Sequence, residues 1–246
     1  MLHLARSPYS SVLLSATAFL IVGSTWALAD DRVIPGSASP DKKWQIRRTT
    51  ITEEAAEKGV DSDRALVRAG STRPIVKLPL HVGDSDAADE EATIVWAPDS
   101  KRFAYNYRAG GRYETTQVYQ LRNGRWKELR SLESKATSAP LDRVQTAQLA
   151  ELKLPKDANR RRIWDTWEVT KWEDARTAIL YANSIETVLV KKAGEEELEE
   201  LSAHFLFTMS FDEQGNWRVI KTHEMSAKEI QEREQPNDGS PNPEDT

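Results

Sequence analysis

Few side chains in this sequence are spaced for chemistry. His204 and His223 fall in two neighbouring strand-like runs, where they could converge on a metal or a substrate, and His81 stands apart. None has a second histidine at metal-ligand spacing, so satisfied rings at strand ends are expected instead. Asp84, Asp86, Asp89, Glu90 and Glu91 offer the oxygen ligands that calcium takes. They lack the EF-hand spacing and its glycine, so the run reads as a solvated acidic loop. Glu195, Glu196, Glu197, Glu199 and Glu200 read as the wet face of a helix over 194–203, with Leu198 and Leu201 turned inward. The chain has no Gly-x-Ser-x-Gly, His-Glu-x-x-His, phosphate loop or Gly-x-Gly-x-x-Gly. It has no cysteine, which excludes a thiol nucleophile, thiolate zinc, iron–sulfur clusters and disulfides. No catalytic residue, metal or cofactor is expected.

The remaining candidate is a binding residue. Of the tryptophans, Trp44, Trp96, Trp126, Trp172 and Trp217 recur at corresponding hairpin positions and read as packing residues. Trp164 and Trp167 do not. In a strand, Trp167 shares a face with Ile163 and Val169 and belongs to the core. Trp164 aligns with Thr166, Glu168 and Thr170, a polar face, and follows Arg160, Arg161 and Arg162. An aromatic ring beside guanidinium groups can hold a sugar, an anionic group or a peptide. Trp164, Arg160 and Arg162 are therefore the candidate binding residues.

The elements that position them are short and repeated. Ser39-Pro40-Asp41-Lys42-Lys43-Trp44, Trp96-Ala97-Pro98-Asp99-Ser100-Lys101 and Trp172-Glu173-Asp174-Ala175-Arg176 each place an aspartate in a turn ahead of a strand. Proline fixes φ and the aspartate can accept backbone N–H groups further on. Hairpins then follow: 92–97 into 102–107, 116–121 into 126–129 across Asn123-Gly124, and 205–211 into 217–222. A fainter one spans 65–68 and 74–81. Three units result, about 33–82, 92–135 and 163–223, inside a β domain over 30–235. Helical insertions are expected over 138–152 and, with Ser226 and Glu229 as a capping pair, over 226–235. Residues 236–246 are polar and proline-rich, and read as disordered.

Composition and the first residues set the compartment. The 246 residues carry a net charge of −5, which disfavours nucleic acid. Arg6, the apolar stretch 12–22 and Ala27-Leu28-Ala29 have the three-part layout of a signal peptide cleaved after Ala29. The apolar stretch is shorter than the about 20 residues that span a bilayer. A periplasmic or secreted protein is expected, with no membrane span after cleavage.

The segment Trp96–Tyr105, and more loosely Ser39–Trp44, resembles the TolB-type β-propeller repeat, which runs aromatic-Ser-Pro-Asp-Gly-Lys into an apolar strand. Trp172–Tyr181 departs from it, with Glu173 where proline would stand. The resemblance implies a mainly β fold of about three four-stranded antiparallel blade-like units, a partial or distorted propeller, since complete propellers need four to eight blades. A non-catalytic binding or scaffold protein of the cell envelope follows, its protein or carbohydrate partner held by loops at one end of the blades. The hairpin 205–222 is also similar to the closing hairpin of NTF2-like domains. That resemblance implies the alternative, a C-terminal pocket near Trp164, Tyr181 and Phe205 that binds or transforms a small molecule.

Overall fold

The computed structural model describes residues 32–50, 62–79, 92–192 and 195–234. The leader 1–29, His81, the acidic loop 84–91 and the tail 236–246 lie outside the described residues. The fold is mainly β. The first four strands, β1 (Arg32–Val33), β2 (Trp44–Thr50), β3 (Ser62–Arg68) and β4 (Val76–Leu78), form an antiparallel sheet in chain order. The next four, β5 (Thr93–Trp96), β6 (Arg102–Gly110), β7 (Tyr113–Arg122) and β8 (Arg125–Glu128), form a second antiparallel run. After α1 (Lys135–Glu151), β9 (Arg160–Trp172), β10 (Thr177–Lys192), β11 (Glu195–Phe211) and β12 (Trp217–Glu224) form a third. Helix α2 (Ala227–Glu234) closes the described chain.

The second and third runs are one eight-stranded sheet, curled into a half-barrel, rather than separate units. The join is a short parallel ladder, Tyr113 to Asp165 and Glu114 to Thr166. Its cause is local. Strand β8 is short and covers only Tyr119–Arg122 of β7, so the other end of that edge needs a partner for its backbone groups.

The turns explain the hairpins. Lys42 and Ser100 both have φ of 58°, each one residue after its aspartate. Ser39 N–H donates to Trp44 and Lys42 N–H to Ser39, and the same two bonds recur from Ala97 to Arg102 and from Ser100 to Ala97. The two turns are thus one conformation used twice. The Asp174 turn is different, with Glu173 N–H donating to Thr177, because no proline starts it. Asn123 and Gly124 have φ of 49° and 72°, as a type I′ hairpin turn requires.

Helix α1 starts three residues before the expected Ser138 because Ser134 caps it: its Oγ accepts from Ala136 N–H, and Thr137 Oγ1 accepts from Ser134 N–H at 3.0 Å. The helix expected over 194–203 is not formed; Glu195 opens strand β11. Lys191 stands opposite Glu196 across the hairpin, and opposed charges favour pairing. A period of two then separates the leucines. Leu201 is fully buried and Leu198 is 68 % exposed.

The three runs stack. One face of the second run packs Phe103, Tyr105, Tyr119 and Trp126 against Trp44, Ile46 and Leu66 of the first. Its other face packs Ala104 and Val118 against Val169, Leu180 and Phe207 of the third, with Leu141 of α1. Tryptophans tie neighbours together. Trp96 Nε1 donates to Ser37 O at 2.9 Å, and Trp172 Nε1 to Val95 O at 3.0 Å, each reaching back to the preceding run. Asn106, buried, clamps β9 from both sides of its amide: Nδ2 donates to Val169 O and Oδ1 accepts Val169 N–H. Among the described residues, no helix is long and apolar enough to cross a membrane.

Candidate functional site

Asp41, Asp99 and Asp174 each accept the backbone N–H two residues on, from Lys43, Lys101 and Arg176 at 3.1, 3.0 and 2.6 Å. Asp212 accepts Asn216 N–H at 2.8 Å. These bonds hold each turn in shape, and the Arg176 N–H holds the Asp174 carboxyl below its usual range. Four turns meet at one end of the half-barrel: Asp99, Asn123-Gly124, Asp174 and Asp212. Arg102, only 4 % exposed, follows the Asp99 turn and joins it to two of the others from beneath. Its Nη1 donates to Ala175 O at 2.7 Å and its Nη2 to Asp212 O at 2.8 Å. Burial lowers its affinity for the proton, against the attraction of Asp99. Arg122 Nη1 donates to Gln214 O at 2.6 Å, and Gln120 Nε2 to Glu213 O at 3.1 Å.

Between these turns the surface is concave. One notch of about 430 Å³ is lined by Lys101, Arg102, Arg122 and Arg176, with Asp99 and Glu213. A second, of about 430 Å³, lies beside Lys127, Arg130 and Trp217. The Arg130 guanidinium sits 4.6 Å above the Trp217 ring, and Trp217 Nε1 donates to Arg130 O. This end therefore exposes cations, while the Trp217 ring is buried beneath Arg130. Lys101 and Arg176, the second residues after Asp99 and Asp174, were not singled out by sequence. The repeated cation at that place, with Lys43 in the first turn, was the available signal.

The sequence-predicted residues lie at the opposite end. Trp164 is half-buried and its Nε1 donates to Thr166 Oγ1 at 2.9 Å, so it does share the polar face. A guanidinium lies 5.1 Å over its ring, but it belongs to Arg108, from the β6–β7 hairpin. Arg160 pairs with Glu186 at 3.1 Å and Arg162 with Asp165 at 2.9 Å. The irregular register between Ile185 and Glu186 brings Arg162 and Asp165 onto one side of β9. Trp167 is in the core.

On the same face, Tyr181 Oη and His204 Nδ1 are 3.0 Å apart, next to buried Asn183. Helix α2 lies over them, with Arg233 3.8 Å above the Tyr181 ring and paired to Glu168. His223 pairs instead with Glu229 at 2.8 Å, so the two histidines serve separate contacts. Phe205, adjacent to His204 in the strand, faces the core on the other side. Trp164, Tyr181 and Phe205 therefore do not line one cavity.

Burial lowers the His204 pKa, more than Glu234 and Glu200 raise it. The folded protein binds this proton less readily than the unfolded chain. Stability from His204 is thus complete above the unfolded value of 6.5 and declines as pH falls below it. The Ser226 N–H, then His223, hold Glu229 down to about 2, so its contribution is kept above its ordinary 4.5 and fades toward pH 2. The melting temperature is expected to fall between pH 7.5 and 5.5 in the wild type and less in His204→Gln. Parallel curves for the two would overturn the assignment.

No family model matches this chain, and no curated protein matches it.

Proposed function

We propose that this chain is an exported, non-catalytic binding or scaffold protein of the cell envelope, which contacts its partner with the turns at one end of a partial β-propeller. The observation that carries the reading is the convergence of four aspartate- and glycine-shaped turns around two cationic notches. Turns displayed on stacked sheets are where binding residues collect. The blade-like description is supported by three successive four-strand antiparallel runs, the last two joined in one curled sheet, and by indole bonds from the second and third runs to the one before. The leader 1–29 supports export. The partner is a protein or a carbohydrate. Trp164 with Arg108 is a second contact point at the far end.

Two measurements test this. Intact-mass analysis of the secreted or periplasmic protein is expected to give an N-terminus at Asp30; a retained leader would overturn export. Arg218 is exposed and lines a third concavity at this end, with Arg176 and Asp212. Residues 30–246 are expected to co-sediment with isolated envelope, with at least tenfold weaker retention for Arg218→Glu. Retention unchanged by Arg218→Glu but lost with Trp164→Ala would move the contact to the other end and overturn the reading.

A further inference from the structure

We infer that the notch between the Asp99 and Asp212 turns is an oxyanion site, which takes a phosphate group. This rests on the turn end being the binding end and names the chemistry bound there. Three observations lead to it. First, the notch holds four cations, Lys101, Arg102, Arg122 and Arg176, against the two acids Asp99 and Glu213. Second, even with Glu213 paired to Arg176 at 2.8 Å and Asp99 Oδ1 accepting Lys101 N–H, four cations against two acids leave the notch an excess of positive charge. Third, the buried Arg102 bonds two main-chain carbonyls, and its Nε has no hydrogen-bond partner among the described residues. That Nε is buried, so Arg102 adds charge beneath the notch rather than a direct contact, and charge counts for more where water is excluded.

The rim supplies the direct contacts. Lys101 and Arg176 are exposed, and Arg122 is half-buried beside them. An ammonium and two guanidinium groups on three different turns suit an anion with several oxygens around one centre, because each cation can meet a separate oxygen. A single carboxylate offers two oxygens in one plane and uses the rim less fully. Arg102 holds the turns at 175 and 212 and Arg122 bonds Gln214 O, so these turns are already tied together and little ordering is needed on binding.

The test uses residues 30–246 with inorganic phosphate, and with glucose 6-phosphate against glucose to separate a free from an esterified phosphate. Thermal melts are run in phosphate and in chloride at equal ionic strength, with calorimetric titration of each probe. The expected result is a concentration-dependent rise in melting temperature of a few degrees in phosphate over chloride, and affinity reduced at least tenfold in the Lys101→Gln/Arg176→Gln double variant. Equal melts in the two salts, or an undiminished shift in the double variant, would overturn the site. Binding of glucose 6-phosphate but not of inorganic phosphate upholds it for an esterified ligand. If neither phosphate binds while Arg218→Glu still releases the protein from envelope, the anion site falls and the turn-end reading stands. If envelope retention is also indifferent to Arg218→Glu, both fall.

Discussion

Replacing Trp126 by alanine lowers stability by about 3–5 kcal/mol, the range for a buried tryptophan emptied from a core. The ring, 8 % exposed, stands where the first two sheets meet. It makes edge contacts with Trp44 at 5.5 Å, Phe103 at 5.2 Å and Trp96 at 5.8 Å. Of these, Trp44 belongs to the first sheet and the others to the second run, so the ring ties the seam to the second run's own aromatic cluster. A fall in melting temperature on the order of 10 °C follows for a chain of this size. Hydrogen exchange should locate the effect. Protection in β2 and β3 is expected to drop well before protection in β10 and β11. Uniform loss over all strands would show that the three runs unfold as one and that the seam is not a separable contact. Trp126 Nε1 has no hydrogen-bond partner among the described residues, so Trp126→Phe, which keeps most of the ring and removes that N–H, is expected to cost far less than alanine.

That seam shows why some of the fold could be read from the chain and some could not. The hairpins were legible because their signals are local. Asn123-Gly124 sets a positive φ at both residues, and Pro40-Asp41 and Pro98-Asp99 make the same turn wherever they stand. The capping pair Ser226 and Glu229 is equally local, with Ser226 N–H donating to Glu229 and Glu229 N–H to Ser226. The acidic segment at 195–200 misled because its hydrophobic spacing suits a helix, and what overrides it is the register against β10, a contact the segment does not contain. The fusion of the second and third runs depends on a two-residue parallel ladder, which no periodicity announces.

The same division holds for the candidate site. The sequence places Trp164 beside the guanidinium groups of Arg160 and Arg162. The guanidinium over its ring comes from Arg108 on another strand pair, while the sequence neighbours Arg160 and Arg162 are drawn to Glu186 and Asp165. At the turn end, the aspartates were visible as turn-formers but their cationic followers were not read as a group. They become one only when Arg102 reaches across to the turns at 175 and 212. Chemistry assembled from one residue per turn leaves no contiguous motif.

The glycine of the last turn gives the sharpest test of that assembly. Gly215 has φ of +84°, and a Cβ there would come within 2.5 Å of Leu129 Cδ2 and 2.7 Å of Gln120 Oε1. Gly124 has a similar φ of +72° but open space around the added atom. The two substitutions therefore separate backbone strain from crowding. Gly124→Ala is expected to cost about 1–2 kcal/mol, the penalty for a left-handed residue bearing a Cβ. Gly215→Ala carries that penalty and about 1–3 kcal/mol more, because Leu129 and Gln120 must move. Gln120 is the residue whose amide N–H holds Glu213 O, so its displacement loosens the turn that Arg102 also grips. Denaturant melts of both variants measure the difference. A gap of more than about 1 kcal/mol, with Gly215→Ala the worse, is the expected result, and phosphate affinity should fall in Gly215→Ala alone. Equal destabilisation by the two would show that the Asp212 turn gives way freely, and would remove the rigid end on which the binding reading depends.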